Sequence, residues 1–166
     1  MSQPGTAWTV STGTSATALA AGTGKTLIYI NAGSTDQPIL VEFGISFDGI
    51  TSSAVPVLVE LCFGTKASNS TPGTGSTTAT FLQVRGWPAQ TPASAGAVNC
   101  SSEPTVLTPV KQWLVTPNAG LLVIQAPLGR ETTGVASGTA LSGNQYALRA
   151  TAPAIVNARA YIEIEE

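Results

Sequence analysis

Histidine is absent from the 166 residues, and only 10% of them are charged, against about 25% in a typical soluble domain. Without histidine the chain cannot form a Ser-His-Asp or Cys-His catalytic arrangement, and it lacks the commonest metal ligand. The 7 Lys and Arg residues are scattered singly, so no basic stripe is available for a phosphate backbone. We therefore expect no enzymatic activity, no cofactor, no metal and no nucleic-acid partner.

Long apolar runs are also missing. No stretch approaches the roughly 18 apolar residues of a membrane span, and the N-terminal sequence MSQPGTAWTV has no positive region followed by an apolar core. These absences predict a soluble chain made in a cytoplasm, without a membrane partner. The 2 cysteines, Cys62 and Cys100, do not make a disulfide scaffold. A buried thiol is expected at Cys62, and whether the two cysteines pair is left open.

The most regular alternation of apolar residues occurs in two runs at 39–47 and 56–63. Apolar residues alternate along both runs and include many β-branched and aromatic side chains, which is typical of strands and not of an amphipathic helix. A turn-rich segment separates the runs, so we predict that they form an antiparallel hairpin. An isolated hairpin is marginal in water, and the rest of the chain must supply a second apolar layer.

Further strands are predicted at 26–31, 80–84, 112–116, 121–125, 146–150 and 157–165. Eight or nine short strands with no helical pattern favour two antiparallel sheets packed face to face. A jelly-roll sandwich is the leading architecture because long crossover loops suit it, and an immunoglobulin-like sandwich is the alternative. We expect a flexible N-terminal arm and loop at 1–25 and a single β-sandwich domain at 26–166. Within the arm, residues 8–10 could form a short strand or pack onto a neighbouring molecule. The side chains of Ile162 and Ile164 should face the core.

Few residues are candidates for a functional site. Glu42 and Glu60 lie on the same face of the predicted hairpin and could form a carboxylate pair of the glycosidase kind. Two solvent-facing charges on the surface of a sheet are the simpler interpretation. Trp113 lies in an apolar run and is predicted to be in the core. Trp8 and Trp87 are predicted to be half exposed, since they lie near a terminus and in a loop. Exposed aromatic residues serve protein interfaces or stack on sugars.

Several segments together resemble a family of small structural proteins of tailed bacteriophages. They are Gly44-Ile-Ser-Phe-Asp-Gly49, Pro56-Val-Leu-Val-Glu-Leu61, Glu103-Pro104, Pro127-Leu-Gly-Arg-Glu131, Arg149-Ala-Thr-Ala-Pro153 and Asn157-Ala-Arg-Ala-Tyr161. The chain looks like a head decoration, or cement, protein with a β-sandwich fold. The resemblance spans 26–166, and its motifs are structural, not chemical.

This resemblance implies a virion protein on the capsid surface, present in the host cytoplasm during assembly. Its partners would be the major capsid protein and other copies of itself, with a trimer favoured. Contacts are expected from the arm, through Pro4, Trp8 and Val10, and from the loops around Trp87 and Glu103. Arg130 is expected to form an intersubunit or turn-fixing ion pair with Glu131, although a weak surface pair is the simpler reading. A minor tail or baseplate module and a carbohydrate-binding module are the alternatives.

Overall fold

β-Strands dominate the computed structural model, which describes residues 5–14, 16–33, 38–48, 55–65, 76–86, 88–104, 107–127, 130–133 and 144–166. These residues contain thirteen strands, one 3-10 turn at Pro117–Ala119 and no α-helix. The strands are β1 (Ala7–Ser11), β2 (Thr17–Leu19), β3 (Gly24–Asn31), β4 (Ile39–Phe47), β5 (Val57–Thr65), β6 (Thr77–Thr78), β7 (Leu82–Arg85), β8 (Ala95–Val98), β9 (Thr108–Val115), β10 (Leu121–Gln125), β11 (Thr132–Thr133), β12 (Asn144–Thr151) and β13 (Val156–Glu165). The prediction of an all-β fold is confirmed.

Two antiparallel sheets pack against each other. Sheet 1 has the order β10-β4-β13-β1-β7, with β11 also beside β4 and β2 also beside β13. Sheet 2 has the order β6-β8-β3-β12-β5-β9. Eight of these strands form the quartets β1-β13-β4-β10 and β3-β12-β5-β9, which is the order of a jelly roll. The predicted jelly-roll sandwich therefore agrees with the strand pairing.

The predicted hairpin between the two long apolar runs is wrong. Strand β4 pairs with β10 and β13 in sheet 1, whereas β5 pairs with β9 and β12 in sheet 2. A hairpin would leave both apolar faces on one exposed surface, and placing the strands in opposite sheets buries each face against the other layer. Alternation identifies the buried face of a strand but not its hydrogen-bonded neighbour.

The prediction of a flexible arm and loop at 1–25 is wrong for the strands in that segment. Strand β1 lies between β13 and β7 in sheet 1, and β2 pairs with β13 farther along. Trp8 and Val10 are inward-facing residues of β1 and alternate with Thr9 and Ser11. Their burial explains why this segment joins the sheet.

The core lies between the two sheets. Its largest fully buried side chains include Tyr146, Phe43, Leu61, Ile162 and Ile164, so the predicted core position of the last two is confirmed. Trp113 packs at the margin of this cluster and is only half-buried, with its ring centroid 5.2 Å from that of Phe43. The contact joins β9 to β4 across the sandwich, next to the side formed by β9 and β10.

Candidate functional site

Two of the residues predicted to form an N-terminal adhesive arm, Trp8 and Val10, are inside the protein. Trp8 is 3% exposed and Val10 is 0% exposed, and both belong to the main core cluster. The expected half-exposure of Trp8 is therefore wrong, and neither side chain is available on the surface of this fold. The alternation of Trp8 and Val10 with polar neighbours was the sequence signal for a strand here. Pro4 and Trp87 lie outside the described residues.

Glu103 and Arg130 both lie on the surface. The Glu103 carboxylate accepts hydrogen bonds from the backbone N–H and the hydroxyl of Thr26, each at 2.6 Å. It therefore ties the segment after β8 to β3. Arg130 donates its backbone N–H to the Pro127 carbonyl at 2.9 Å. Ion pairs between described residues include Arg85–Glu165 and Arg149–Glu60. The pair of Arg130 with Glu131 stays a prediction.

Glu42 and Glu60 do not form a carboxylate pair, because their strands belong to different sheets. Glu42 accepts a hydrogen bond from the Tyr161 hydroxyl on the outer face of sheet 1. Glu60 is buried in sheet 2 and accepts hydrogen bonds from Arg149 Nε and Gln112 Nε2, both at 2.7 Å. Burial opposes ionisation of Glu60, but these bonds outweigh it and lower the pKa of its carboxyl. An ionised, fully bonded carboxylate of this kind is a structural group, not a general acid.

A small apolar cluster covers part of the outer face of sheet 2. It contains Tyr29, Cys62, Ala97, Cys100 and Ala147, with Leu107 packed against it. Both cysteines are buried free thiols, as expected for Cys62. Burial raises the pKa of each thiol to about 11, so both stay protonated near neutral pH and are weak nucleophiles. The cluster anchors the segment after β8 and has no features of a reactive site.

Exposed apolar side chains occur on the two strands at one lateral side of the sandwich, β9 at the end of sheet 2 and β10 at the end of sheet 1, and each strand presents them on the outer face of its own sheet. On β9, Leu114 is 73% exposed and Val110 is also exposed. On β10, Leu121 is 60% exposed and Val123 is 41% exposed. We call these four residues the β9–β10 patch. The sequence predicts both strands, but nothing in its pattern shows that their outward apolar residues stay uncovered.

The opposite lateral side also exposes apolar residues. Strand β7 ends sheet 1 there, and its Leu82 and Val84 side chains are exposed. Val55 and Ile155, which precede β5 and β13, are exposed at one end of the sandwich. Contiguous or grouped exposed apolar side chains are characteristic of interaction surfaces, whereas single ones are ordinary. The two lateral sides are therefore the strongest candidate contact surfaces among the described residues.

A shallow depression of about 200 Å³ lies on the outer face of sheet 1. Gly44 and Ser46 of β4 contribute to its lining, together with Tyr161, Arg159 and Leu121 around them. The Tyr161 side chain reaches from β13 across Gly44 towards Glu42, since a β-carbon built on Gly44 would lie 2.2 Å from its Cε1 atom. Burial, reinforced by the bond to Glu42, raises the pKa of Tyr161 to about 12. The phenol therefore remains a hydrogen-bond donor at neutral pH.

Among the described residues, no group of three His, Cys, Asp or Glu side chains is arranged to hold a metal ion. No helix in the described part of the chain is long and apolar enough to cross a membrane. Comparison of the chain with protein-family models, with curated proteins and with solved structures gave no match.

Proposed function

We propose that this protein is a structural virion protein that decorates the outer surface of a capsid shell and stabilises it. The observation that carries the proposal is the presence of exposed apolar side chains on both lateral sides of one jelly-roll sandwich. A decoration protein must adhere to the shell and to its neighbours at the same time. Two separate apolar sides on a rigid β-sandwich supply those two contacts without any reactive group.

The electrostatics of the chain support the same role. The formal net charge is -2 and charged residues are sparse, so neighbouring copies would approach with little repulsion. The β9–β10 patch and the exposed residues of β7 lie on edge strands, where a partner gains both apolar contact and backbone hydrogen bonds. The resemblance of residues 26–166 to phage decoration proteins points to the major capsid protein as the partner.

Capsid binding can be tested by mixing the purified protein with expanded capsids that lack it, sedimenting the mixture and counting bound copies per capsomer. We expect saturation at a fixed symmetric ratio. Leu82→Lys and Leu114→Lys test one lateral side each, and Thr23→Lys, at an exposed position in the turn before the interior strand β3, is the matched control. Binding that is absent, or that never saturates, would refute the decoration role. Saturation at only a few copies per particle would instead favour a tail or baseplate module.

Saccharide binding is a second candidate function, and the depression beside Tyr161 is the observation that favours it. The depression combines an aromatic ring, an exposed arginine and hydroxyl-bearing side chains, which together suit apolar contact and hydrogen bonding with one sugar ring. Its volume is below that of a site for a drug-sized ligand. Ligand-observed NMR with methyl hexopyranosides and a methyl hexuronide would detect binding, and Ser46→Trp should abolish it by filling the depression. No signal with either class of sugar would exclude this function.

A further inference from the structure

The four strands at the ends of the two sheets differ in how they are protected against pairing with another strand. Strand β6 is two residues long and β7 is four residues long and carries Arg85. Strand β9 contains Pro109 and Lys111, and its register shifts opposite Leu61 and Cys62. Short length, charge, proline and irregular register are the usual devices that keep edge strands from associating. Strand β10 is five residues long and has no charge, no proline and no register shift.

The sequence of β10 is Leu-Leu-Val-Ile-Gln, without charge, glycine or proline. Leu122 and Ile124 pack against the core, while Leu121 and Val123 are exposed on the outer face of sheet 1. Among the described residues β10 pairs with one strand, β4. The register is continuous, with Leu121 opposite Ser46 at one end and Gln125 opposite Glu42 at the other. Its other edge is therefore a regular, uncharged row of backbone donors and acceptors flanked by apolar side chains.

We propose that β10 pairs antiparallel with β10 of a second copy of this chain, around a two-fold axis at Val123. In this register Leu121 lies opposite Gln125 of the second copy, Leu122 lies opposite Ile124, and Val123 lies opposite itself. The two copies of sheet 1 become one continuous sheet. The exposed Leu121 and Val123 side chains of both copies meet on its outer face, and such cross-strand apolar pairs stabilise a sheet.

The charges brought into the contact distinguish self-pairing of β10 from self-pairing of the other edge strands. Self-pairing of β9 would bring Lys111 close to its own symmetry mate, and self-pairing of β7 would place Arg85 opposite Leu82 of the second copy, whereas β10 carries no charge into the pairing. A second copy therefore fits β10 better than it fits β6, β7 or β9, the other described strands that end the two sheets. A two-fold contact also closes on itself, so the expected product is a dimer and not a filament.

The contact is small. Five paired residues bury less than the roughly 1,600 Å² of a standard stable interface, so we expect a weak, concentration-dependent dimer. Sedimentation equilibrium over a wide concentration range should show a monomer–dimer equilibrium for the unmodified protein. Val123→Lys should weaken dimerisation at least tenfold, while the matched edge substitution Val84→Lys on β7 should leave it unchanged. A monomer at every concentration, a trimer, or equal effects of both substitutions would overturn the proposal.

A cross-linking experiment tests the register. Directly opposed residues of antiparallel strands have Cα atoms about 4.5–5.5 Å apart, within the range that a disulfide bridges. Val123→Cys should form an intermolecular disulfide under mild oxidation, whereas Val84→Cys should not, and both native thiols are buried. Absence of cross-linking at residue 123 would refute the two-fold register. Dimerisation is measured without capsids, so its outcome is independent of the decoration role, which would fail only in the capsid-binding experiment.

Discussion

The ring of Tyr161 lies over the backbone of Gly44, its direct partner on the neighbouring strand of sheet 1. A β-carbon at residue 44 would lie 2.2 Å from Cε1 of the ring, far inside any normal contact distance. The phenol hydroxyl donates a hydrogen bond to the Glu42 carboxylate, so the tip of the side chain is fixed while its ring lies against Gly44. Glycine is required at residue 44 because of this ring and not because of the backbone angles of β4.

Gly44→Ala should destabilise the protein by about 1–3 kcal/mol, the usual cost of forcing a group into an occupied space. The Tyr161 ring would have to swing outward, and its bond to Glu42 would be lost. In a Tyr161→Ala background the same Gly44→Ala change should cost much less, since the obstructing ring is gone. Urea unfolding of the four proteins of this double-mutant cycle measures the coupling. A coupling energy near zero would contradict the steric explanation.

Arg149→Met should destabilise the protein at neutral pH by about 3 kcal/mol, because it leaves the buried Glu60 carboxylate without its cation. In the unmodified protein the pKa of Glu60 is lowered, so its contribution to stability is present above the unfolded value of about 4.3 and is lost as the pH falls through the folded value. In the variant, burial should instead raise this pKa, and acid should favour the folded state.

The difference in unfolding free energy between the two proteins should therefore shrink as the pH falls from 7 to 4. Arg85→Met is the matched control, since Arg85 and Glu165 form a largely exposed ion pair that is worth about 0–1 kcal/mol. A difference that stays constant with pH would show that Arg149 acts through packing alone.

Alkaline pH should destabilise the fold through its two buried thiols. Their folded pKa of about 11 lies above the unfolded value of about 8.5, so the stability due to neutral Cys62 and Cys100 is complete below 8.5 and is lost as the pH rises towards 11. The Cys62→Ala/Cys100→Ala protein should show a flatter dependence of unfolding free energy on pH between 8 and 10. Thiol reagents should modify the native protein only as fast as it opens, and immediate modification at pH 7 would contradict the burial.

Trp8→Ala should destabilise the protein by about 3–5 kcal/mol, the usual cost of removing a large aromatic side chain from a core. Deletion of residues 1–10 should abolish cooperative unfolding, because it removes β1 from between β13 and β7. Thr9→Ala, which changes the outward neighbour of Trp8, is the control and should be nearly neutral. A truncated protein that folds as well as the full chain would restore the arm predicted from the sequence.

The sequence predicts which residues of a strand face the core better than it predicts which strands are neighbours. Alternation along 157–165 correctly places Ile162 and Ile164 in the core, and the pattern of 57–63 does the same for Val59 and Leu61. It could not show that β4 and β5 enter different sheets, because local periodicity is the same for hairpin and cross-sandwich partners. The tyrosine over Gly44 and the β10 edge, which pairs only with β4 among the described residues, depend on contacts between residues more than thirty positions apart in sequence, and no local pattern contains them.

The two strands that follow all the others in the chain, β12 and β13, occupy the interior of sheet 2 and of sheet 1 respectively. Before the ribosome has made them, β3 has no link to β5, and β1 has none to β4. The nascent chain therefore carries several apolar strands with open edges until synthesis passes residue 165, and such chains are prone to aggregate. Folding must occur late and depends on long-range pairing, which makes it slow for a domain of this size. We therefore expect production of this chain to depend on chaperones, because its two central strands are made after the strands that they join.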